Sequence, residues 1–153
     1  MTTGTSFRFR LERVRALRER KEKLAQQQLA HALSRRASTE AELRRAEAEL
    51  EQARAEQRGV AAMPSAVSAT ELQARQAFLE RVEATRGQRA QELSQRDAEV
   101  ADRDALLTSA AGEHEMLKRL RERHRGDHNR EAARRERNLL DEIAAVRFGR
   151  SSA

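Results

Sequence analysis

The 153-residue sequence contains no cysteine, tryptophan or tyrosine, and only one proline. Without cysteine the chain can form neither a disulfide bond nor a thiolate metal site. Aromatic residues make up 3% of the chain and charged residues 37%, so we do not expect a compact apolar core. No apolar run approaches the roughly 20 residues of a transmembrane helix, and Met1–Arg10 lacks the apolar region of a secretory signal. We therefore expect a cytoplasmic protein.

The one proline, Pro64, lies just after Gly59, between two long runs in which apolar residues recur every seven positions. Proline stops a helix near the preceding residue, and glycine permits a turn. The pattern predicts an all-α fold, a long two-helix antiparallel coiled-coil hairpin with an extended C-terminal helical segment.

The same signals predict where the elements begin and end. We expect one coiled-coil domain over residues 1–153, with helix 1 at about 7–58, a turn at 59–67 and helix 2 at about 68–147. Ser6 is the predicted N-cap of helix 1, and Ser68 and Glu71 have the spacing of a capping box for helix 2. A kink is expected near residue 126, because glycine weakens a helix there and Asp127 can cap a new one.

The residues that face the opposite helix follow from the heptad spacing. Helix 1 is predicted to use first Val14, Leu17, Lys21, Leu24 and Gln28, and then, after a stutter, Ala25, Leu29, Ala32, Arg36, Thr39, Leu43, Ala46, Leu50 and Ala53. Helix 2 is predicted to use Leu72, Leu79, Arg86, Leu93, Val100, Leu107 and His114, with Val82, Ala110 and Leu117 beside them.

The predicted register follows from the position of the turn. If the turn centres near residue 62, position i of helix 1 faces roughly position 125 − i of helix 2. Leu43 then meets Val82, and Phe7 lies near Lys118. Arg36 and Arg86 come close together on the seam, and repulsion between them is expected to destabilise the helix pair locally. The carboxylates of Glu40 and Glu83 are the candidates to neutralise them.

Charge is distributed unevenly along the chain. Residues 1–24 hold eight basic and three acidic side chains, residues 115–153 hold eleven and seven, and residues 25–114 hold twelve and fifteen. A hairpin brings both ends of the chain together, so the two basic segments form one basic tip. Glutamates are interspersed and aromatic residues are few, so a protein with an acidic surface fits this tip better than nucleic acid does.

Helix 2 is longer than helix 1 and carries apolar residues that helix 1 cannot cover. Under the predicted register, residues beyond about 120 have no partner, yet Leu139, Leu140, Ile143 and Val146 form a stripe there. An uncovered apolar stripe indicates a binding partner.

No pattern in the sequence supports catalysis or metal binding. His124 and His128 are spaced four apart with Glu131 nearby, but the His-Glu-x-x-His arrangement of a zinc site is missing. His31 and His114 lie on or near the seam, where we interpret them as polar interruptions. Phosphate-binding loops and nucleophile motifs are absent, and a two-helix hairpin offers no pocket. We predict no enzymatic activity, no catalytic residues, no cofactor and no metal.

Three segments make the chain resemble the FliJ family of flagellar type III export proteins. They are Phe7-Arg-Phe-Arg-Leu-Glu-Arg-Val14, Met116-Leu-Lys-Arg-Leu-Arg-Glu-Arg123, and Arg134-Arg-Glu-Arg-Asn-Leu-Leu-Asp-Glu-Ile-Ala144 followed by Arg147-Phe148. The resemblance covers nearly the whole chain. It implies a non-enzymatic protein of the flagellar export apparatus, located in the cytoplasm and peripheral at the inner membrane.

The resemblance also implies partners. Family members associate with the hexameric export ATPase (FliI) and with the cytoplasmic domain of the export gate (FlhA), and they are described as chaperones or chaperone escorts. The ring-binding residues expected here are Arg13, Arg20, Arg121, Arg123, Arg134, Leu139 and Ile143. The gate-binding residues expected by position are Phe78 and Val82, whereas helix 1 has Ala46, Glu49 and Ala53 where the family tends to have aromatic residues.

Two other functions remain open from the sequence. One is the equivalent stalk of a virulence type III secretion system, and the other is a basic coiled coil that binds nucleic acid. Flagellar or needle-complex genes beside this gene would decide whether the protein belongs to a virulence secretion system. A mobility-shift assay at increasing salt concentration would test nucleic-acid binding.

Overall fold

The structure is a computed structural model that describes residues 6–62 and 68–150. It contains two helices, α1 from Glu12–Ala61 with 50 residues and α2 from Ala69–Arg150 with 82 residues. The described residues contain no strand. The predicted all-α fold of two long helices packed against each other is therefore confirmed.

The chain divides into two compact units. The terminal unit comprises Met1–Lys23 and Ser109–Ala153, and the central unit comprises Leu24–Thr108. In each unit a segment of α1 lies beside a segment of α2, and partner numbers rise on one helix as they fall on the other, so the helices run antiparallel. We describe each unit separately.

Helix α1 begins at Glu12, five residues later than predicted. The first bond of this region runs from the Glu12 amide to the Phe9 carbonyl at 3.2 Å, so Ser6 is not the N-cap. Residues 6–9 form no helix. The reason lies in the aromatic rings of Phe7 and Phe9, which both pack against α2 from this non-helical segment.

The other end of α1 also differs from the prediction. The helix continues to Ala61, through Gly59, rather than ending near Arg58. Glycine only weakens a helix, by about 1 kcal/mol, and does not end one by itself. Pro64 and the rest of residues 63–67 lie outside the described residues, and the predicted turn falls largely on them.

The capping box at the start of α2 is confirmed. The Ser68 amide donates to the Glu71 carboxylate at 3.0 Å, and the Glu71 amide donates back to the Ser68 hydroxyl at 3.2 Å. The Ser68 backbone bond also lowers the pKa of Glu71 from its ordinary value. Two otherwise unpaired amides of the first turn are thus satisfied.

Helix α2 continues through Gly126 and Asp127 to Arg150 without interruption. No new helix is capped at Asp127, whose carboxylate instead accepts a bond from Arg130 at 2.6 Å within the same helix. The helix is held by its own backbone bonds, and one glycine is too small a penalty to break a helix of 82 residues.

The central unit follows the predicted heptads closely. Its buried α1 residues are Ala25, Ala32, Thr39, Ala46, Leu50 and Ala53. Five of these are spaced by seven, and all have small side chains. Small residues at every seventh position let the two helices approach closely, and larger residues beside them, such as Leu29 and Leu43, are half-buried.

In the terminal unit the predicted seam is wrong. Val14 and Leu17 are 40% and 53% exposed, whereas the side chains of Arg15 and Arg18 are only 22% and 32% exposed. Counting back by sevens from Ala25 leads to Arg18, so the same heptad continues and there is no stutter. Both charged side chains have carboxylate partners there: Arg18 donates to Glu113 of α2, and Arg15 donates to Glu12 and Glu19 of its own helix.

The predicted register is also wrong, by about eight residues, slightly more than two helical turns. In the terminal unit Phe7 contacts His128 rather than Lys118. In the central unit Arg54 pairs with Glu83 at 2.9 Å and Glu42 with Arg89 at 2.9 Å, so Leu43 does not face Val82. The prediction counted the pairing from a turn centred near residue 62, but α1 itself extends to Ala61, later than the prediction assumed.

This register removes the expected like-charge conflict in the central unit. Arg36 donates to Asp97 at 2.6 Å, and to Glu40 on its own helix at 3.0 Å. Arg86 pairs with Glu47 at 3.2 Å. Each arginine thus meets a carboxylate from the opposite helix, and the prediction that they face each other is wrong.

Candidate partner-binding surfaces

The start of the described chain is fixed to α2 in the terminal unit by two ring contacts. The Phe7 and His128 ring centroids lie 5.7 Å apart, and those of Phe9 and His124 lie 5.8 Å apart, nearly edge to face. Phe9 is buried. His124 and His128, whose spacing in the sequence lacks the arrangement of a zinc site, therefore pack against phenylalanine rings. We call this arrangement the N-terminal clasp.

Arginines surround an open cleft beside the clasp. The cleft has a volume of about 730 Å³ and is lined by Phe7, Arg8, Phe9, Arg10, Glu12, Arg13 and Arg121. Its one carboxylate, Glu12, accepts bonds from Arg15 at 2.7 and 3.0 Å and pairs with Arg121 at 3.3 Å. These bonds, led by that from Arg15, lower the pKa of Glu12. Because Glu12 is already engaged, the cleft presents an excess of positive charge.

The predicted ring-binding residues all lie in the terminal unit. Four of them, Arg13, Arg20, Arg121 and Arg123, lie on the parts of α1 and α2 that run side by side. Arg134, Leu139 and Ile143 lie further along α2 and are exposed. The structure therefore brings basic residues from both ends of the chain into one unit. Their binding role remains a prediction.

The apolar stripe near the end of α2 is open to solvent. Leu139, Leu140, Ile143 and Val146 are 48–60% exposed. Phe7 contacts α2 at His128, which lies later on α2 than the point at which the sequence prediction ended the pairing. These four apolar side chains still lie beyond it.

The two predicted gate-binding residues differ in environment within the central unit. Phe78 is 41% exposed, whereas Val82 is only 5% exposed. The ion pair between Arg54 and Glu83 places Val82 at the level of Ala53, which is also buried. Val82 therefore packs in the seam, and Phe78 is the residue of this pair that a partner can reach.

The remaining histidines, His31 and His114, have different environments. His114 bonds Glu22 at 2.6 Å across the helices of the terminal unit, and His31 is exposed. Among residues 6–62 and 68–150 there is no group of three or more side chains suited to hold a metal ion. In the same ranges no helix has the length and apolarity needed to cross a membrane.

Sequence reasoning missed the charged seam of the terminal unit. Arg18 and Glu22 face α2 there, where they bond Glu113 and His114 respectively. The sequence does contain a signal for this seam, because Arg18 lies seven residues before Ala25 and so occupies the same heptad position as the buried small residues. The apolar residues Val14 and Leu17 drew the prediction to the wrong face.

Comparison with known proteins supports an assignment for the whole chain. The model of the family described as flagellar FliJ protein matches residues 7–153. No curated protein and no solved structure shows a significant match. The matched range includes both ends of the chain, the N-terminal clasp and both long helices. The chain therefore belongs to the FliJ family, whose members are components of the flagellar type III export apparatus.

Proposed function

We propose that this protein is a non-enzymatic stalk that binds the hexameric export ATPase ring through its terminal unit and the export gate through its central unit. The observation that carries the proposal is the gathering of arginines from both chain ends in one unit, beside an exposed apolar stripe. Positive charge steers association with an acidic surface, and apolar side chains supply affinity once contact is made.

The dimensions of the terminal unit suit a ring. Two helices side by side are about 20 Å across, since each is about 10 Å wide with its side chains. A pair of this width can enter the central opening of a ring-shaped ATPase. The arginines of the cleft, Arg8, Arg10, Arg13 and Arg121, then face residues that line the opening.

The gate-binding proposal concerns Phe78. A phenylalanine that keeps 41% of its surface exposed is available to a partner, and aromatic side chains frequently dominate binding energy at interfaces. Val82 supports this surface by packing beneath it rather than by touching the gate. In this proposal the protein is cytoplasmic and reaches the inner membrane only through the export apparatus, where export chaperones are further partners.

Charge reversal tests the ring proposal. Arg13→Glu combined with Arg20→Glu should slow association with the purified ATPase ring at least tenfold and reduce the salt dependence of the association rate. Both side chains are exposed, so the helices should keep their melting temperature. The matched control is Arg45→Glu, an exposed arginine of α1 in the central unit. The proposal fails if the control abolishes ring binding while the double reversal leaves the rate unchanged.

A further inference from the structure

The terminal unit has its charged and apolar residues in unusual places. Charged side chains fill the seam between α1 and α2, while Val14 and Leu17 on α1 and Met116 on α2 remain 40%, 53% and 71% exposed. A helix pair in water normally buries its apolar face and exposes its charges. Apolar residues left outside a polar seam indicate that something else covers them.

Two of these residues help to form a groove. It has a volume of about 620 Å³, and its lining consists of Val14, Arg18, Glu113, Met116, Leu117, Arg119, Leu120 and Arg123. Four of the lining side chains are apolar, and Met116 and Leu120 are four residues apart on the same face of α2. The α2 part of the groove spans Glu113 to Arg123, about 15 Å along the helix axis. This length corresponds to about three turns of a further helix.

The charge of the groove is positive. Its one carboxylate, Glu113, is already bonded to Arg18. Arg119 is paired with Glu115, a pair in which the Arg119 side chain is still 75% exposed, and Arg123 adds a second exposed arginine four residues on. Two exposed arginines at the edge of an apolar groove match carboxylates on the edge of an occupant.

We propose that this groove binds an amphipathic helix of another protein, with apolar residues at i, i+3 or i+4 and i+7 and a pair of carboxylates four residues apart along one edge. The carboxylates would lie opposite Arg119 and Arg123. Helix-in-groove recognition uses this spacing of anchors. The proposal goes beyond ring binding, because its apolar determinants are not among the residues predicted to contact the ring.

A second copy of this chain is a poorer occupant. Its exposed stripe at Leu139, Ile143 and Val146 is flanked by arginines as well as glutamates, Arg135 and Arg147 beside Glu136 and Glu142, so its edges carry no net negative charge. Placed in the groove, these arginines would approach Arg119 and Arg123, and like charges at an interface are unfavourable.

The test uses two synthetic 18-residue helical peptides with the same leucine pattern, one with glutamates and one with lysines along the edge. Fluorescence anisotropy with the full chain measures the affinity of each. We expect the glutamate peptide to bind at least tenfold tighter than the lysine peptide. Met116→Asp should weaken its binding at least tenfold, because a carboxylate replaces the most exposed apolar anchor. Leu106→Asp, at a 54% exposed leucine of α2 in the central unit, is the matched control and should change nothing.

A second variant makes the test independent of folding. Arg119→Glu with Arg123→Glu should reverse the preference, so that the lysine peptide binds tighter. Equal binding of the two peptides, or glutamate-peptide binding that survives Met116→Asp, overturns the proposal. Light scattering provides a further check. If the parent protein is an oligomer and Met116→Asp makes it dissociate, the proposal is overturned, because a second copy then occupies the groove. Binding of the Met116→Asp variant to the ATPase ring is measured in parallel. If this variant loses both ring binding and peptide binding, the groove is part of the ring-binding site, and the proposal of a separate occupant is overturned.

Discussion

Substitutions at Val82 and Phe78 test which of these residues stabilises the helix pair and which binds a partner. Both lie on α2 in the central unit, four residues apart, yet one is 5% and the other 41% exposed. Val82→Ala removes two methyl groups from a closed seam, at about 0.8 kcal/mol each plus a small cavity term, so we expect a loss of about 1.5–2 kcal/mol. For a chain of this length the loss corresponds to about 4–7 °C in melting temperature.

Phe78→Ala should behave differently. Its ring keeps much of its surface in water, so truncation should cost less than about 1 kcal/mol of stability. Export-gate binding should fall at least tenfold, as expected for an exposed aromatic anchor. The melting temperature is measured by circular dichroism at the helical band, and affinity is measured with the purified cytoplasmic domain of the gate at a temperature where both variants are folded.

Two results would refute this reasoning. If Val82→Ala melts like the parent but loses gate binding, then Val82 is a contact residue and our assignment of it to the seam is wrong. If Phe78→Ala lowers the melting temperature by several degrees, with gate binding following the folded fraction, then Phe78 is a packing residue. Leu72→Ala, at a 50% exposed leucine earlier in α2, controls for the general effect of removing an exposed apolar side chain.

Three further outcomes are expected. Gln57→Cys with Gln76→Cys should be joined by a short bifunctional maleimide, because the two side-chain amides lie 3.3 Å apart. If Gln57→Cys is instead joined to Ser68→Cys, as seen by gel electrophoresis, the register predicted from the sequence would be restored. Arg36→Asp and Asp97→Arg should each lower the urea midpoint, and the double variant should recover it, with a coupling of about 0.2–1 kcal/mol for this exposed pair; no recovery would contradict the pairing. Stability should fall as pH drops below 4.5, because carboxylates with a lowered pKa stabilise the fold only while they are ionised. The carboxylates with a lowered pKa include Glu12, Glu71 and Glu115, which are bonded chiefly to Arg15, Ser68 and Arg119 respectively. A urea midpoint that rises towards pH 3 would contradict this prediction.

The features predicted correctly from the sequence are those set by local spacing. The capping box at Ser68 and Glu71 depends on residues three apart, and the buried heptad from Ala25 to Ala53 depends on a repeat of seven. Both are visible in one stretch of chain. The two-helix fold follows from such repeats on either side of a single break.

The register was not predictable in the same way. A heptad repeat looks alike after a shift of seven residues, so the pairing depends on where α1 ends and the chain turns. Gly59 suggested an end that the helix does not have. The charged seam at Arg18 and Glu22 depends on partners more than ninety positions away, Glu113 and His114, and these cannot be assigned until the register is known.

The N-terminal clasp selects one alignment of the N-terminal segment along α2 in the terminal unit. Four residues of helix cover about 6.0 Å along the axis, and the rings two residues apart on the non-helical segment match rings four residues apart on α2. Phe7 and Phe9 fit His128 and His124 in this way. A slide of α2 by one turn would leave one phenylalanine without its ring partner. The clasp therefore marks one alignment of the terminal unit as correct, a distinction that repeating heptads cannot make.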